Sequence, residues 1–523
     1  MVFKTYVLFN DLADVIDEII AEIDACRFKE TRWFRKKADR IKGLKILDYT
    51  VLASLAGEEL IIPLIVSFQL VNSVNGHEYK EIYYLPLIIS KELNEKGTLL
   101  LKIEHPDYCA FVSDGVHSLS YNQALDRFIR TGQSIEMKKG GFLKARLLAG
   151  DKITRAGSLT DLSSNSLTLV RKEQIVKTYR KLVEGINPDI EIGRLLYEET
   201  TFRNFPRIMG YISYHDNDGR EYCLCLQEEF VVNQGDLWAY TQKFLAGYLD
   251  YARINSDREL LLNYIEDFSS EMVRLGTLIA ELHLALASIN REGFKPAGID
   301  ETELKEWYRT MKENVQELLG YLRKNEGVKG PGGEVLKLKE AIYTSIKKVF
   351  SLKGHLGKKI RIHGDLHLEQ ILKTGDTFLV LDFEGEPLKE PVARRRKHPS
   401  LKDVAGMLRS FNYAAHSALF NYLDNNYLEG MPSLKEAVLI WEREVVKNFV
   451  TGYINRVRDR RADLLPPVAK FNQALALFKL DKALYEALYE INNRPDWLPI
   501  PLQGILGCIR ELETKEDTVN ERY

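Results

Sequence analysis

The sequence predicts an α+β protein in which a sheet-rich first part is followed by a mainly helical second part. Up to residue 231, short segments rich in β-branched and aromatic residues alternate with turn-forming residues, which is typical of strands. From residue 232 onward, apolar residues recur at helical spacing over long stretches. One hairpin interrupts these helices, because the apolar segments 371–372 and 378–381 flank the turn residues 374–376.

Composition excludes several classes of protein. The chain has 523 residues, with 73 Lys and Arg against 75 Asp and Glu, so its net charge of -2 gives no reason to expect a nucleic-acid partner. The five cysteines have no zinc-type spacing, which indicates a reduced, cytoplasmic setting. The longest apolar run, residues 60–68, contains Pro63 and is too short to span a membrane. We therefore expect no membrane association.

The predicted elements fall into three parts, with bounds at 1–112, 113–231 and 232–523. The first part opens with an amphipathic helix and continues as a small sheet. The second combines one helix with further strands, and the third contains long helices and a surface connection. In chain order these are a helix at 12–25, strands at 44–53, 60–70 and 82–89, a helix at 119–129, strands at 142–148, 167–176, 206–213 and 222–226, a helix through 269–287, the connection at 325–333, a helix after Ser400 and a helix through 477–491.

The predicted hairpin brings a set of polar residues together. Because a short hairpin holds its outer ends close, the loop that ends at Gln370 and the carboxylate of Asp382 should converge on one point. Phosphoryl transfer needs a carboxylate that receives the proton of the acceptor hydroxyl, and Asp365 would serve. Gln370 and Asp382 would supply oxygen ligands for Mg2+. The alternative is a tight turn with a capping Asp beside an ordinary strand.

The residues HGDLHLEQ (363–370) and DFE (382–384) resemble the catalytic and metal loops of the aminoglycoside-phosphotransferase-like kinases, which are distant relatives of protein kinases. The resemblance implies a two-lobed, protein-kinase-like fold with an N-terminal cap, and ATP and Mg2+ as cofactors. Two positions depart from the usual pattern. Gln370 replaces the usual Asn and keeps its carboxamide with a longer reach, and Glu384 replaces the usual Gly, which suggests a segment that does not flip as a regulatory switch.

The same resemblance implies a nucleotide site in residues 113–231. Lys177 would pair with the α and β phosphates, and Glu191, in the first turn of the helix that begins at Asn187-Pro-Asp, would hold it by an ion pair. The alternative for Lys177 is a solvated charge on a strand edge. No G-x-G-x-x-G motif is present. The remaining candidates are the phosphate loop, Ser164, Asn165 and Ser166, and the adenine-binding hinge, Glu228, Phe230 and Val231.

Further segments resemble bacterial maltokinases along nearly the whole chain. They are RWF (32–34) followed by Lys37, the helix start at 187–189, DVAGMLRSF (403–411) and the Tyr-Glu segment near residue 485. The resemblance implies ATP-dependent phosphorylation of maltose at its anomeric hydroxyl, which feeds α-glucan synthesis, and an association with trehalose synthase as in some relatives. In this class of kinase an aspartate equivalent to Asp403 braces the catalytic loop. Its alternative role is that of a helix carboxylate.

The last long helix offers a wall for a sugar. Lys482, Tyr485, Glu486 and Tyr489 lie at i, i+3, i+4 and i+7, so they share one face. Aromatic rings and charged groups suit the C–H faces and hydroxyls of a sugar, although tyrosines at this spacing also line cores. The resemblance assigns Lys482, Tyr485 and Glu384 to the substrate. His283, on a helical apolar stripe, is interpreted as a core histidine.

Two other functions remain open. One is a kinase for another sugar, such as glucosamine, on the same capped fold. The other is a catalytically silent nucleotide-binding scaffold for glucan enzymes. The presence of Asp365, Asp382 and Lys177 in one chain favours an enzyme.

Overall fold

The computed structural model describes most of the chain. It covers residues 12, 14–31, 33–34, 36–53, 59–73, 75–93, 98–148, 166–170, 174–325, 330–386, 391–426 and 431–513, with the backbone alone at 53, 166–170, 391 and 392. The chain divides into two compact units. The first contains residues 1–194 and 206–231, and the second contains 195–205 and 232–523. The segments predicted as the cap and the intermediate part therefore lie in one unit.

The first unit is built largely of strands, with two short α-helices and the start of a third. Their bounds are α1 (Ile16–Ala21), β1 (Arg40–Tyr49), β2 (Leu52–Ala53), β3 (Glu59–Ile62), β4 (Leu64–Val71), β5 (Glu78–Tyr84), β6 (Leu87–Ser90), β7 (Leu99–His105), β8 (Tyr108–Asp114), α2 (Leu119–Thr131), β9 (Ser134–Glu136), β10 (Phe142–Leu147), β11 (Ser166–Val170), β12 (Gln174–Thr178), β13 (Lys181–Leu182), α3 (Pro188–Glu199), β14 (Ile208–His215) and β15 (Glu221–Glu229). Helix α3 ends in the second unit.

Three sheets organise the first unit. One has the order β1-β4-β5-β13, the second β2-β3-β6-β8-β7, and the third β11-β12-β15-β14-β10-β9. All of their named pairings are antiparallel. Since β13 pairs with β5, the chain passes from the third sheet into the first within a few residues of β12.

The second unit is mainly helical, and its described residues include four short strands. Its elements are α4 (Leu237–Ile254), α5 (Arg258–Ser288), α6 (Glu301–Lys324), α7 (Pro331–Lys337), α8 (Lys339–Lys347), β16 (Lys359–Ile360), β17 (Ile371–Thr374), β18 (Thr377–Val380), α9 (Pro391–Arg394), β19 (His398–Pro399), α10 (Leu401–Asn425), α11 (Pro432–Arg461), α12 (Val468–Asn493) and α13 (Pro499–Glu513). Among the described residues, no helix is both long and apolar enough to cross a membrane.

Helices α5 and α11 approach each other backbone to backbone. A Cβ at Gly276 would collide with the carbonyl oxygen of Phe449, and one at Gly452 would collide with that of Val273. Only glycine permits such an approach at both crossing points. The contact fixes the register of the two helices. It thereby also fixes the positions of the side chains that lie one or two turns away, behind the catalytic loop.

Most predicted elements are present, and the differences have local causes. The strand predicted at 60–70 is divided at Pro63, which cannot donate to a sheet ladder. The strand predicted at 167–176 is a hairpin of β11 and β12. The first helix is shorter than predicted, because the Asp24 side chain caps a separate 3-10 turn. Helix α7 begins at Pro331, inside the segment predicted as a connection, since proline suits a first helical position.

Candidate active site

The catalytic loop lies between β16 and β17 in the second unit. It turns at Gly364, whose φ of +87° favours glycine. It reaches the hairpin formed by β17 and β18, where Ile371 pairs with Val380. The hairpin is thus confirmed, and the loop that ends at Gln370 lies beside the segment that begins at Leu381, whose N–H donates to the Gln370 carbonyl over 2.9 Å.

Asp403, in the first turn of α10, braces this loop. One carboxylate oxygen accepts from the N–H of His363 at 2.7 Å, and the other accepts from the N–H of Gly364 at 2.9 Å. Burial alone would raise the pKa of Asp403, but the hydrogen bond from His283 and the contacts with the loop lower it below its ordinary value. The prediction that Asp403 braces the loop is confirmed.

His283 and Tyr453 complete the support behind Asp403. The Nε2 atom of His283 lies 3.0 Å from Asp403 Oδ2, and its Nδ1 lies 2.8 Å from the Tyr453 hydroxyl. Because a carboxylate only accepts, Nε2 donates to it and Nδ1 accepts from the hydroxyl. All three side chains are buried. His283 is therefore the satisfied core histidine that the sequence predicted, and it also orients the carboxylate that holds the catalytic loop.

His363 joins the catalytic loop to the loop after β18. Its Nε2 donates to the carbonyl of Leu381 at 2.7 Å, and its Nδ1 accepts from the N–H of Asp365 at 3.3 Å. A Cβ on Gly364 would come within 3.3 Å of the Cα of Gly385. The loop that carries Asp365 therefore lies against the loop that carries Asp382, in agreement with the predicted hairpin.

Asp382 has an uncommon backbone. Its φ is +60°, the one positive value at a non-glycine position among the residues that the structure describes. Such a conformation costs about 1–3 kcal/mol and is found mostly at functional sites. A carboxylate oxygen of Asp382 lies within 4.8 Å of one of Glu384. Two carboxylates at this separation supply the hard oxygen donors that Mg2+ prefers, so the residues present fit the predicted ion.

Glu384 and Gln370 each have a neighbouring side chain that bears on their role as ligands of Mg2+. The Glu384 carboxylate lies 3.8 Å from Arg394, and both side chains are 17% exposed. The side-chain nitrogen of Gln370 lies 3.4 Å from the Nε2 of His367. Burial lowers the pKa of His367 below its ordinary value, although the nearby carboxylates of Asp365 and Glu369 act in the opposite direction. The metal roles of Gln370 and Asp382 stay predictions.

Lys482, on α12, is the cation nearest to the predicted base. Its Nζ lies 3.3 Å from Asp365 and 3.5 Å from Glu386, and the Glu386 side chain is only 6% exposed. Burial would lower the pKa of Lys482, but Asp365, Glu386 and Glu486 raise it above its ordinary value. Lys482 is therefore placed at the catalytic loop. Glu386 was not a sequence candidate, although its position four residues after Asp382 could have suggested it.

The neighbouring residues of α12 form the wall beside Lys482. The Tyr485 ring centre lies 5.1 Å from Lys482 Nζ, and burial, together with Glu386, raises the pKa of this tyrosine to about 12. Glu486 accepts from Arg409 of α10 at 2.8 Å. One buried nitrogen of Arg409, Nη2, has no hydrogen-bond partner among the described residues. This face of α12 is thus polar and aromatic. Tyr485 lies beside charged side chains rather than beside core residues alone.

In the first unit, Lys177 lies on β12 and is 5% exposed. Its Nζ forms an ion pair of 2.9 Å with Asp189, which also lies 3.4 Å from the Tyr179 hydroxyl. The predicted pairing of Lys177 with Glu191, which is half-buried two residues later, stays a prediction. Asp189 shares a face with Ile192 and Leu196, and this i, i+3, i+7 pattern could have identified it.

The other nucleotide candidates are located only in part. The hinge segment follows directly from β15, which ends at Glu229. Glu228 is opposite Ile175, and Phe230 and Val231 follow the strand. Ser166 is the first residue of β11, whereas Ser164 and Asn165 lie outside the described residues, as does Arg32 of the RWF segment. The roles of these residues stay predictions.

Comparison with known proteins follows this geometry. No protein-family model matches the sequence. The glucosamine kinase of Mycolicibacterium smegmatis is 26% identical over 356 residues, which is 66% of this chain and 78% of that protein. The glucosamine kinase of Streptacidiphilus jiangxiensis is 27% identical over 240 residues, 46% of this chain and 49% of that protein. The chain therefore matches about half the length of this second relative.

Solved structures extend the likeness to the fold. A glucosamine kinase in complex with glucosamine, ADP and inorganic phosphate has a TM-score of 0.61 at 18% identity, covering 94% of this chain and 98% of that one. A second crystal form of glucosamine kinase has a TM-score of 0.63 at 17% identity and covers 94% and 99%. The predicted fold class is thus confirmed: this chain has the α+β, kinase-like fold of glucosamine kinase.

Proposed function

We propose that this protein is a sugar kinase that transfers the γ-phosphoryl group of ATP to a sugar hydroxyl. One observation carries the proposal: Asp365 lies on a loop held by both oxygens of Asp403, in backbone contact with the loop that presents Asp382 in a left-handed conformation. Phosphoryl transfer depends on fixed positions and on charge neutralisation more than on covalent chemistry. A braced carboxylate beside a strained one meets that need.

The steps assigned to this chain's own residues concern the acceptor. Asp365 orients the sugar hydroxyl and accepts its proton as the new P–O bond forms. Lys482 and Tyr485 contact the sugar, and Lys177 positions the nucleotide phosphates. Asp382, Gln370 and Glu384 would hold Mg2+, which supplies positive charge for the β and γ phosphate oxygens when it is bound.

For the sugar, we favour an amino sugar such as glucosamine. The relatives that match this sequence are named glucosamine kinase. Carboxylates near the catalytic loop can accept hydrogen bonds from an ammonium group, and Glu386 lies there, 3.5 Å from Lys482. Maltose is the second candidate, because the RWF, DVAGMLRSF and Tyr-Glu segments resemble maltokinases.

The test is an assay of ADP release with Mg-ATP and four acceptors: glucosamine, maltose, glucose and an aminoglycoside. Turnover of glucosamine at least tenfold above the others supports the amino-sugar proposal, and a maltose preference with maltose 1-phosphate as the product supports the second candidate. Mass spectrometry of the products identifies the phosphorylated sugar. Binding of Mg-ATP without phosphorylation of any sugar would contradict both and would support the silent scaffold.

A further inference from the structure

The first unit contains a buried junction directly after the strand that carries Lys177. Arg180 follows β12 by two residues and is 2% exposed. Its Nη2 donates to both oxygens of Asp114, at 2.9 and 2.7 Å, and its guanidinium lies 5.1 Å from the ring centre of Trp33. Asp114 ends β8, and Trp33 precedes β1, so both partners come from outside the sheet of Lys177.

The backbone at this junction belongs to the sheets of the N-terminal segment. The N–H of Tyr84 donates to the carbonyl of Arg180 at 2.7 Å, and Lys181 and Leu182 pair with β5. Lys181 also forms a 2.5 Å ion pair with Glu81. Every residue from 180 to 182 is therefore tied to elements that lie before residue 115 in the chain.

Tyr179, on the other side of the junction, contacts the sheet of Lys177 and the carboxylate that pairs with this lysine. Tyr179 donates its N–H to Leu224 of β15, and its hydroxyl lies near the Asp189 carboxylate that pairs with Lys177. The Tyr179 ring centre is 5.5 Å from Lys177 Nζ. Only two residues separate Lys177 from Arg180, so a shift of Arg180 displaces the backbone that positions the lysine.

We propose that Arg180 is a positioning residue through which residues 1–114 hold Lys177 in place for the nucleotide phosphates. This inference rests on the proposed function, since it takes Lys177 as a phosphate contact. It gives the N-terminal segment a role in nucleotide affinity. A charged pair in which one guanidinium nitrogen reaches both carboxylate oxygens, buried against an aromatic ring, suits that role because both of its partners restrict the position of the guanidinium.

The test uses Asp114→Asn, which removes the charge and keeps the shape of the side chain. Asp39→Asn is the matched control: Asp39 is 6% exposed, against 5% for Asp114, and is bonded to Tyr79 and Ser73 instead of Arg180. The affinities for ADP and for adenosine are measured by calorimetry, and folding is checked by thermal unfolding. We expect Asp114→Asn to weaken ADP binding about tenfold and adenosine binding less than twofold, within the range of couplings between residues in contact. Asp39→Asn should change neither more than twofold.

A double-mutant cycle distinguishes an effect on the position of Lys177 from a general destabilisation of the first unit. If Arg180 acts through Lys177, Asp114→Asn should have no further effect on ADP affinity in a Lys177→Met background. An unchanged ADP affinity in Asp114→Asn, an equal loss for adenosine, or additive losses in the cycle would each overturn the inference. If Asp114→Asn does not fold, Trp33→Leu takes its place with the same expectations.

This experiment is independent of the proposed sugar kinase activity, because ADP binding needs no acceptor. Failure to phosphorylate any sugar while the cycle shows coupling would overturn the proposed function and leave the inference standing. Sugar phosphorylation, together with an ADP affinity unaffected by Asp114→Asn, would support the proposed function and overturn the inference.

Discussion

Lys177 in the first unit and Lys482 in the second are both held by carboxylates, yet in different ways. Lys177 forms a short pair of 2.9 Å with Asp189, and the two side chains are 7% and 3% exposed. Lys482 is shared between Asp365 at 3.3 Å and Glu386 at 3.5 Å, and is 21% exposed. A short, buried pair fixes a charge in one place. In the proposed reaction, a longer, shared pair would let Asp365 turn to a substrate hydroxyl while Glu386 continues to balance Lys482.

The largest effect, on kcat, should come from removing the carboxylate of Asp365. We expect Asp365→Asn to lower kcat by about 10³-fold, since general-base catalysis contributes about 10²–10⁴-fold. ATP affinity should change little, because this hydrogen bond matters mainly in the transition state. Steady-state kinetics and calorimetry measure the two quantities. The control is Asp376→Asn, on the exposed turn of the same hairpin, and parental turnover in Asp365→Asn would refute the assignment.

Removing the shared cation should have the next largest effect. Lys482→Met leaves Asp365 and the buried Glu386 without their counter-charge, which costs on the order of 3–5 kcal/mol for a fully buried pair and less here, where solvent reaches Lys482. We expect kcat to fall about 10²-fold, as an order of magnitude for a positioned charge. Lys479→Met, one turn earlier on α12 and paired with Glu511, should lower stability and leave kcat within about twofold. Equal losses of kcat in both variants would contradict a specific role for Lys482.

The pair of Lys177 and Asp189 predicts a smaller effect, on the KM for ATP. Asp189→Asn should raise the KM for ATP about tenfold, in line with a loss of roughly 1.4 kcal/mol in positioning Lys177. Glu191→Gln tests the carboxylate that the sequence predicted, and its effect should be the smaller one because the 2.9 Å pair of Lys177 is with Asp189. Kinetics of both variants at a saturating sugar concentration compare the two carboxylates. The opposite order would restore the pairing that the sequence analysis predicted.

The smallest expected effect is an absence of pH dependence. Because the pKa of Lys482 is raised, its contribution to stability is fully present below the unfolded value of about 10.4 and is lost only as pH rises through the still higher folded value. The difference in unfolding free energy between the parent and Lys482→Met should therefore stay constant from about pH 6 to 9. Urea titrations at three pH values measure it. A difference that shrinks by about 1 kcal/mol or more within that range would contradict the raised pKa.

Local signals were sufficient for some parts of the site. The hairpin around residue 375 follows from turn residues between β-prone segments, and the start of α10 places Asp403 where a first-turn carboxylate belongs. The partner Asp189 was harder to find, because Glu191 lies in the same first turn and the packing of α3 decides how close each carboxylate comes to Lys177. Glu386 was missed because burial of a glutamate cannot be read from a Gly-Glu-Pro segment alone.

The sequence by itself determined the order of the motifs, the class of chemistry and the residue types at each step. Only the tertiary structure decided the partners, as with Lys482 and Asp365, which are 117 residues apart and meet at 3.3 Å. The physical reason is that turns and helix starts depend on neighbours within a few residues, whereas an ion pair between a helix and a distant loop depends on how the helices pack around that loop. That packing is set here by close backbone contacts, such as the one between α5 and α11 at Gly276 and Gly452.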